Sequence, residues 1–154
     1  MSRKYALPLF LEGRIDQQAY LKWLTAKTNA HFKRDRKRGN AESTRENYRV
    51  AIHDAVVKSQ GRDAYTGEPL RWDLISTYNN AQSKQHGRGY KSGFALLPTV
   101  DHVGDGTGPA EFVICAWRTN DSKSDLTLAE LVDLCRKILV HHGYAIAPPA
   151  ETTR

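Results

Sequence analysis

Thr99-Val100-Asp101-His102-Val103 sets a carboxylate beside an imidazole. It closes an apolar run that starts at Phe94. Gly104-Asp105-Gly106-Thr107-Gly108-Pro109 follows, and then a second apolar run, Phe112-Val113-Ile114-Cys115-Ala116-Trp117. Two short apolar runs around a glycine-rich connection predict a β-hairpin. Adjacent residues on a regular strand face opposite sides, which separates Asp101 from His102. Asn120-Asp121-Ser122-Lys123 comes directly after the second run and predicts a turn or short helix.

Upstream of the hairpin the pattern is helical. Residues 16–38 read as one helix, with Tyr20, Trp23, Leu24 and Ala30 as its apolar face. Its second half carries Lys27, Lys33, Arg34, Arg36, Lys37 and Arg38, with Asp35 the only acid, and Gly39-Asn40 is a stop signal. Such a run is either a solvated face or a nucleic-acid contact; Phe32 and the overall charge favour the contact. A second helix is predicted from Ser43, where Ser43 and Glu46 have capping-box spacing, with Tyr48, Ile52, Ala55 and Val56 buried and Gly61 as its end. His53 lacks a partner four residues on and reads as a packed or surface histidine.

Residues 62–93 are rich in glycine and asparagine and read as irregular. Within them Tyr65-Thr66-Gly67-Glu68-Pro69-Leu70 predicts a tight turn, and Leu70, Trp72 and Leu74 a short strand or a helix start. Lys84, Arg88 and Lys91 fall in a basic, glycine-containing loop, either a mobile surface loop or one that touches phosphate. After the hairpin, Thr127-x-x-Glu130 caps a longer helix with Leu128, Leu131, Leu134, Cys135, Ile138 and Leu139 inward and Gly143 at its end. His141-His142 complement the dipole of that helix, and a frayed tail follows. Trp117 reads as core.

Composition narrows the partners. The chain has 154 residues, 40% hydrophobic and 26% charged, which fits one globular domain with a helical arm. Its formal charge of +6 and pI near 9.4 point to nucleic acid, an anionic membrane surface or an acidic protein. No apolar stretch approaches the ~18–20 residues of a spanning helix. The N-terminus has a charged start and a short apolar run, but Pro8 and Glu12 interrupt it, so it reads as an ordinary N-terminal segment. Cys115 and Cys135 are expected to be buried, reduced thiols of a cytoplasmic protein, and the lack of any Cys-x-x-Cys pair leaves no structural zinc.

The polar residues around the hairpin carry the chemistry. Asp101 and Asn120 offer a carboxylate and an amide oxygen, hard ligands suited to Mg²⁺ or Mn²⁺. His102 offers a base near neutral pH, and Lys123 a positive charge one turn beyond Asn120. Strand, Asp-His, loop, strand and Asn-x-x-Lys resembles the HNH (His-Me finger, ββα-metal) nucleases. Tyr65-Thr66-Gly67 is similar to a turn that precedes this motif in many HNH domains. The resemblance spans about forty residues, 64–72 and 96–126. It implies one divalent cation on Asp101 and Asn120, with His102 deprotonating the attacking water and Lys123 holding phosphate. It also implies an α+β fold in which a small ββα-metal motif has N-terminal helices and a C-terminal helix packed around it.

Two positions depart from the family pattern. Glu111 stands nine residues before Asn120, where the family places an asparagine that braces the histidine loop. An ionised Glu accepts hydrogen bonds and donates none, so Glu111 is a substitute brace, a metal neighbour or a mark of altered activity. Ala64 replaces the family's cysteine before Tyr-Thr-Gly, in keeping with no zinc site. The expected organisation is a basic helical region at 1–61, a nuclease core at 62–143 that forms one compact domain with those helices, and a flexible tail at 144–154. The expected activity is Mg²⁺- or Mn²⁺-dependent hydrolysis of DNA, with RNA also open. Lys33, Arg34, Arg36, Lys37, Arg38, Lys84, Arg88, Lys91 and Arg118 would hold the backbone. The alternatives are a non-catalytic nucleic-acid-binding module on a degenerate HNH scaffold, or a subunit of a defence or phage-related complex. No membrane partner is expected, while a protein partner or a homodimer is open.

Overall fold

A computed structural model describes residues 4–151, leaving the ends of the N-terminal segment and of the expected tail outside the described residues. Helix α1 spans Gln17–Lys37, with the Asp16 side chain accepting a hydrogen bond from the Ala19 amide at 2.7 Å. Its buried side carries Tyr20, Trp23, Leu24, Thr28, His31 and Asp35, so the stripe is apolar at its start and polar at its end. Ala30 is exposed and stands outside the stripe. Helix α2 spans Arg45–Ser59 and buries Tyr48, Ile52, Ala55 and Val56 as their spacing predicts. Its capping box is Thr44 with Asn47, one residue later than expected, because Ser43 is itself buried under Asn40.

Gln60 in a left-handed conformation ends α2, and Gly61 follows at φ 81°. The chain then forms the turn at Tyr65–Gly67, a single bridge between Arg62 and Pro69, and a short 3-10 turn over Trp72–Leu74. Residues 80–92 are not the loop that their glycines suggested. They form α3, Asn80–Ser92, capped by Asn79 and broken at Gly87, whose φ of 57° and ψ of −131° are not helical. Lys84, Arg88 and Lys91 therefore sit on a kinked helix. The Asn79 cap and the packing of Tyr78 against Tyr90 and Phe94 outweigh two glycines worth ~1 kcal/mol each.

Strands β1, Pro98–His102, and β2, Phe112–Ala116, form the expected antiparallel hairpin, with Asp101 opposite Val113 and His102 opposite Phe112. Helix α4, Trp117–Lys123, starts at the residue after β2, giving an α+β arrangement of helices flanking a two-stranded sheet. Helix α1 packs on α2, and α2 on β2. The core between them is aromatic, with Trp23 edge-on to Trp72 at 5.2 Å, a geometry worth ~0.5–1.5 kcal/mol beyond burial. Trp117 is half-buried, edge-on to Tyr78 at 5.3 Å.

Helix α5 spans Leu128–His141 and starts at the Thr127–Glu130 capping box, as predicted. One compact unit runs to Ser122, and a second begins at Lys123. The expected inward face of α5 is not buried. No residue of the helix is, Leu128, Leu134, Ile138 and Leu139 are at least 40% exposed, and Cys135 is exposed. Cys115 is buried as expected. Among the described residues, no helix is long and apolar enough to cross a membrane.

Candidate functional site

Strand alternation sends the two residues at the end of β1 to different partners. Asp101 accepts a hydrogen bond on Oδ2 from the Tyr65 hydroxyl at 2.6 Å. Burial and this bond together raise the pKa of Tyr65, so its proton stays on the phenol. Tyr65 comes from the turn upstream, which is built around buried Asp63. One oxygen of Asp63 accepts from the Tyr65 and Thr66 amides, at 2.7 and 3.2 Å. The other accepts from the Ala116 amide at 2.9 Å and the Thr119 hydroxyl at 2.6 Å. One buried carboxylate thus fastens the turn that holds Asp101 to the start of α4, where Asn120 is the next residue.

His102 turns the other way, toward α1. Its Nε2 lies 2.6 Å from Oδ2 of Asp35, and its side chain is 12% exposed. A carboxylate only accepts, so Nε2 is the donor in this pair, which leaves Nδ1 as the ring nitrogen not engaged by Asp35. The same Asp35 oxygen accepts from the Tyr48 hydroxyl at 2.6 Å. Its other oxygen is buried without a hydrogen-bond partner and has Arg38 at 3.8 Å. His31 stands edge-on to His102 at 4.9 Å and to Phe112 at 5.4 Å. Burial, then the Arg34 guanidinium, lowers the pKa of His31 to about 3. His31 is therefore neutral at physiological pH, with Arg34 at 2.8 Å from its Nδ1.

The loop between the strands is closed over this pair by Asn40. Its side-chain NH₂ donates to the carbonyls of Gly106 at 3.0 Å and Gly108 at 2.9 Å. Its oxygen accepts from the Glu42 and Ser43 amides, so the buried amide is fully used. Gly106 at φ 82° comes so near that a Cβ there would lie 2.9 Å from Asp35 Oδ1 and 3.1 Å from His102 Nε2. Glu111 is exposed and contributes its backbone, the carbonyl accepting from the Val103 amide at 3.0 Å and extending the hairpin by one rung.

The sequence-predicted site residues thus divide. Asp101, His102 and Asn120 lie in one unit around the hairpin and α4, while Lys123 is the last residue of α4 and opens the second unit. Of the basic set, Arg34 is engaged by His31, Arg38 by Asp35, and Arg118 by Glu68 at 2.6 Å. Lys33, Arg36 and Lys37 are exposed. Sequence reading missed Asp35, His31, Asn40 and Asp63 as members of the site. Asp35 alone carried a signal, as the one acid within a basic run.

Asp101 and Asn120 offer two oxygen donors, and among the described residues no cluster of three or more His, Cys, Asp or Glu side chains is placed to hold a metal. That donor set suits a cation that keeps much of its water, such as Mg²⁺, and does not suit zinc. No protein-family model, curated protein or solved structure matches the chain.

Proposed function

We propose that this chain is a metal-dependent endonuclease of the HNH type that hydrolyses DNA phosphodiester bonds. The observation that carries the reading is the order at the hairpin. Asp101 and His102 end β1 on opposite faces, β2 returns in register, and α4 with Asn120 starts without a linker.

Asp101 and Asn120 would hold one Mg²⁺ or Mn²⁺. When bound, the cation supplies charge stabilisation at the phosphate and the leaving 3′ oxygen. Tyr65 fixes the orientation of the Asp101 carboxylate. His102 takes the proton of the attacking water, on Nδ1, because Asp35 engages Nε2. Asp35 acts through His102, as a positioning residue that sets the ring and its tautomer. Asn40 braces the loop over the histidine, the task for which Glu111 lacks a donor. The products would carry 5′-phosphate and 3′-hydroxyl ends.

Plasmid cleavage with Mg²⁺ or Mn²⁺ tests the proposal. Nicking or linearisation should be abolished by EDTA and by His102→Ala, and activity surviving both would overturn it. The burial of His102 against Asp35 favours a second reading, a nucleic-acid-binding module without catalysis. It predicts salt-sensitive DNA binding by the wild-type chain and no cutting at any metal concentration.

A further inference from the structure

Asn29, Phe32, Lys33, Arg36 and Lys37 recur at the three-and-four spacing of one face of α1, the face turned away from Asp35. Arg45, the first residue of α2, stands across from them, and the six residues line a groove of about 490 Å³. Phe32 packs edge-on to buried Tyr48 at 5.7 Å. The guanidinium carbons of Arg36 and Arg45 each lie over its ring, 5.1 Å from the centre. Two long cationic side chains are thereby held by one aromatic ring, which lowers the ordering cost of engaging an anion.

No acid lines this groove. Several other surface arginines are neutralised within the chain, Arg71 by Asp73 at 2.7 Å, Arg118 by Glu68 at 2.6 Å and Arg136 by Asp133 at 3.0 Å. Among the described residues, Lys33, Arg36, Lys37 and Arg45 have no carboxylate partner. Four unneutralised cations, two of them the guanidiniums held on Phe32, form a site for a polyanion.

We propose that this groove binds the sugar–phosphate backbone of DNA, independently of base sequence. The inference rests on the nucleic-acid part of the function proposed above and not on cleavage. Guanidinium forks match phosphate oxygens. Two charges 5.1 Å from one ring centre lie within about 10 Å of each other. One strand carries a phosphate per ~3.4 Å of helix axis, so a separation up to that limit matches neighbouring phosphates of one strand. The Phe32 ring is already covered by guanidinium, so it offers no free aromatic face on which a base could stack.

Binding of the wild-type chain to a labelled duplex in EDTA, followed by fluorescence anisotropy across salt concentrations, tests this. Arg36→Ala with Arg45→Ala should reduce the slope of log affinity against log salt by about 1.8, which is roughly a 60-fold loss at ~0.1 M salt. The loss should be equal for unrelated duplex sequences. Phe32→Leu keeps every charge and should weaken binding with the slope unchanged. An unaltered slope in the double variant overturns the proposal, as does an equal loss in Arg71→Ala, or displacement of DNA by polyglutamate at equal charge. A wild-type chain that binds through the groove yet never cuts with Mg²⁺ sinks the nuclease reading alone. A chain that cuts while the double variant binds normally sinks the groove alone.

Discussion

Asp35 on α1 and His102 at the end of β1 meet at 2.6 Å, carboxylate oxygen to imidazole Nε2, across 67 residues of sequence. The pair ties the basic helix directly to the hairpin. Asp35→Asn preserves volume and places an amide against the ring, which removes the carboxylate that dictates the tautomer. The turnover number for plasmid cleavage should fall about 10- to 100-fold, the scale for losing a partner that orients a functional histidine. KM should change little. Unchanged turnover would show that the contact serves packing only.

Asn40→Asp isolates the brace. An ionised aspartate still accepts from the Glu42 and Ser43 amides but cannot donate to the Gly106 and Gly108 carbonyls. One buried and one partly buried carbonyl lose their donor, and the expected cost is ~2–3 kcal/mol in urea denaturation. Asn40→Asp and wild type of equal stability would remove the brace from the account.

Gly106→Ala strikes the same loop from the other side. Its backbone is left-handed, and the added methyl would press on the Asp35 carboxylate and the His102 ring at once. A destabilisation of ~1–3 kcal/mol should accompany a loss of cleavage. Gly104→Ala shares the positive φ but has open space at its Cβ, so it should cost less and leave activity higher.

Tyr65→Phe deletes only the hydroxyl that holds Asp101. The Mn²⁺ concentration giving half-maximal cleavage should rise about 10- to 100-fold, with the melting temperature little changed. An unaltered metal requirement would mean that the Tyr65 hydroxyl does not set how Asp101 presents its oxygens.

Acid should destabilise the fold before carboxylates begin to titrate. Burial and Arg34 depress the pKa of His31 from 6.5 to about 3, so below pH ~6.5 the unfolded chain binds a proton that the folded chain refuses. The unfolded state then holds more protons, and stability is complete above pH ~6.5 and declines as pH falls toward ~3. His53, also lowered by burial, adds a contribution of the same sign. Unfolding free energy should drop measurably between about pH 7 and 5, and His31→Gln should flatten most of that drop. A wild-type curve level across this range would contradict the burial of a neutral His31.

The hairpin and its helix were legible because their signals are local: apolar runs, a glycine-rich connection, and Asn120 close behind. Asp35 was not legible as a partner of His102, because nothing within a turn of either residue encodes a contact made across 67 positions. Asn40 was hidden in a different way, since Gly39-Asn40 is also an ordinary helix stop. The glycines at 87 and 89 concealed α3, where the Asn79 cap and tertiary packing overrode propensity. Helix α5 shows the reverse error. Its periodicity located the helix correctly, but a stripe of Leu and Ile states only that a face is apolar, not that it is buried.

The contact of Asp35 with His102 bears on how far the hairpin is portable. A fragment cut at Arg62 would retain Asp101, His102 and Asn120, the residues a motif search would prize. It would leave behind the Asp35 carboxylate, the Tyr48 hydroxyl that steadies it and the Asn40 amide that holds the loop shut. Grafting the hairpin onto another scaffold would therefore transplant a histidine without its bearing. The smallest transferable piece begins with α1.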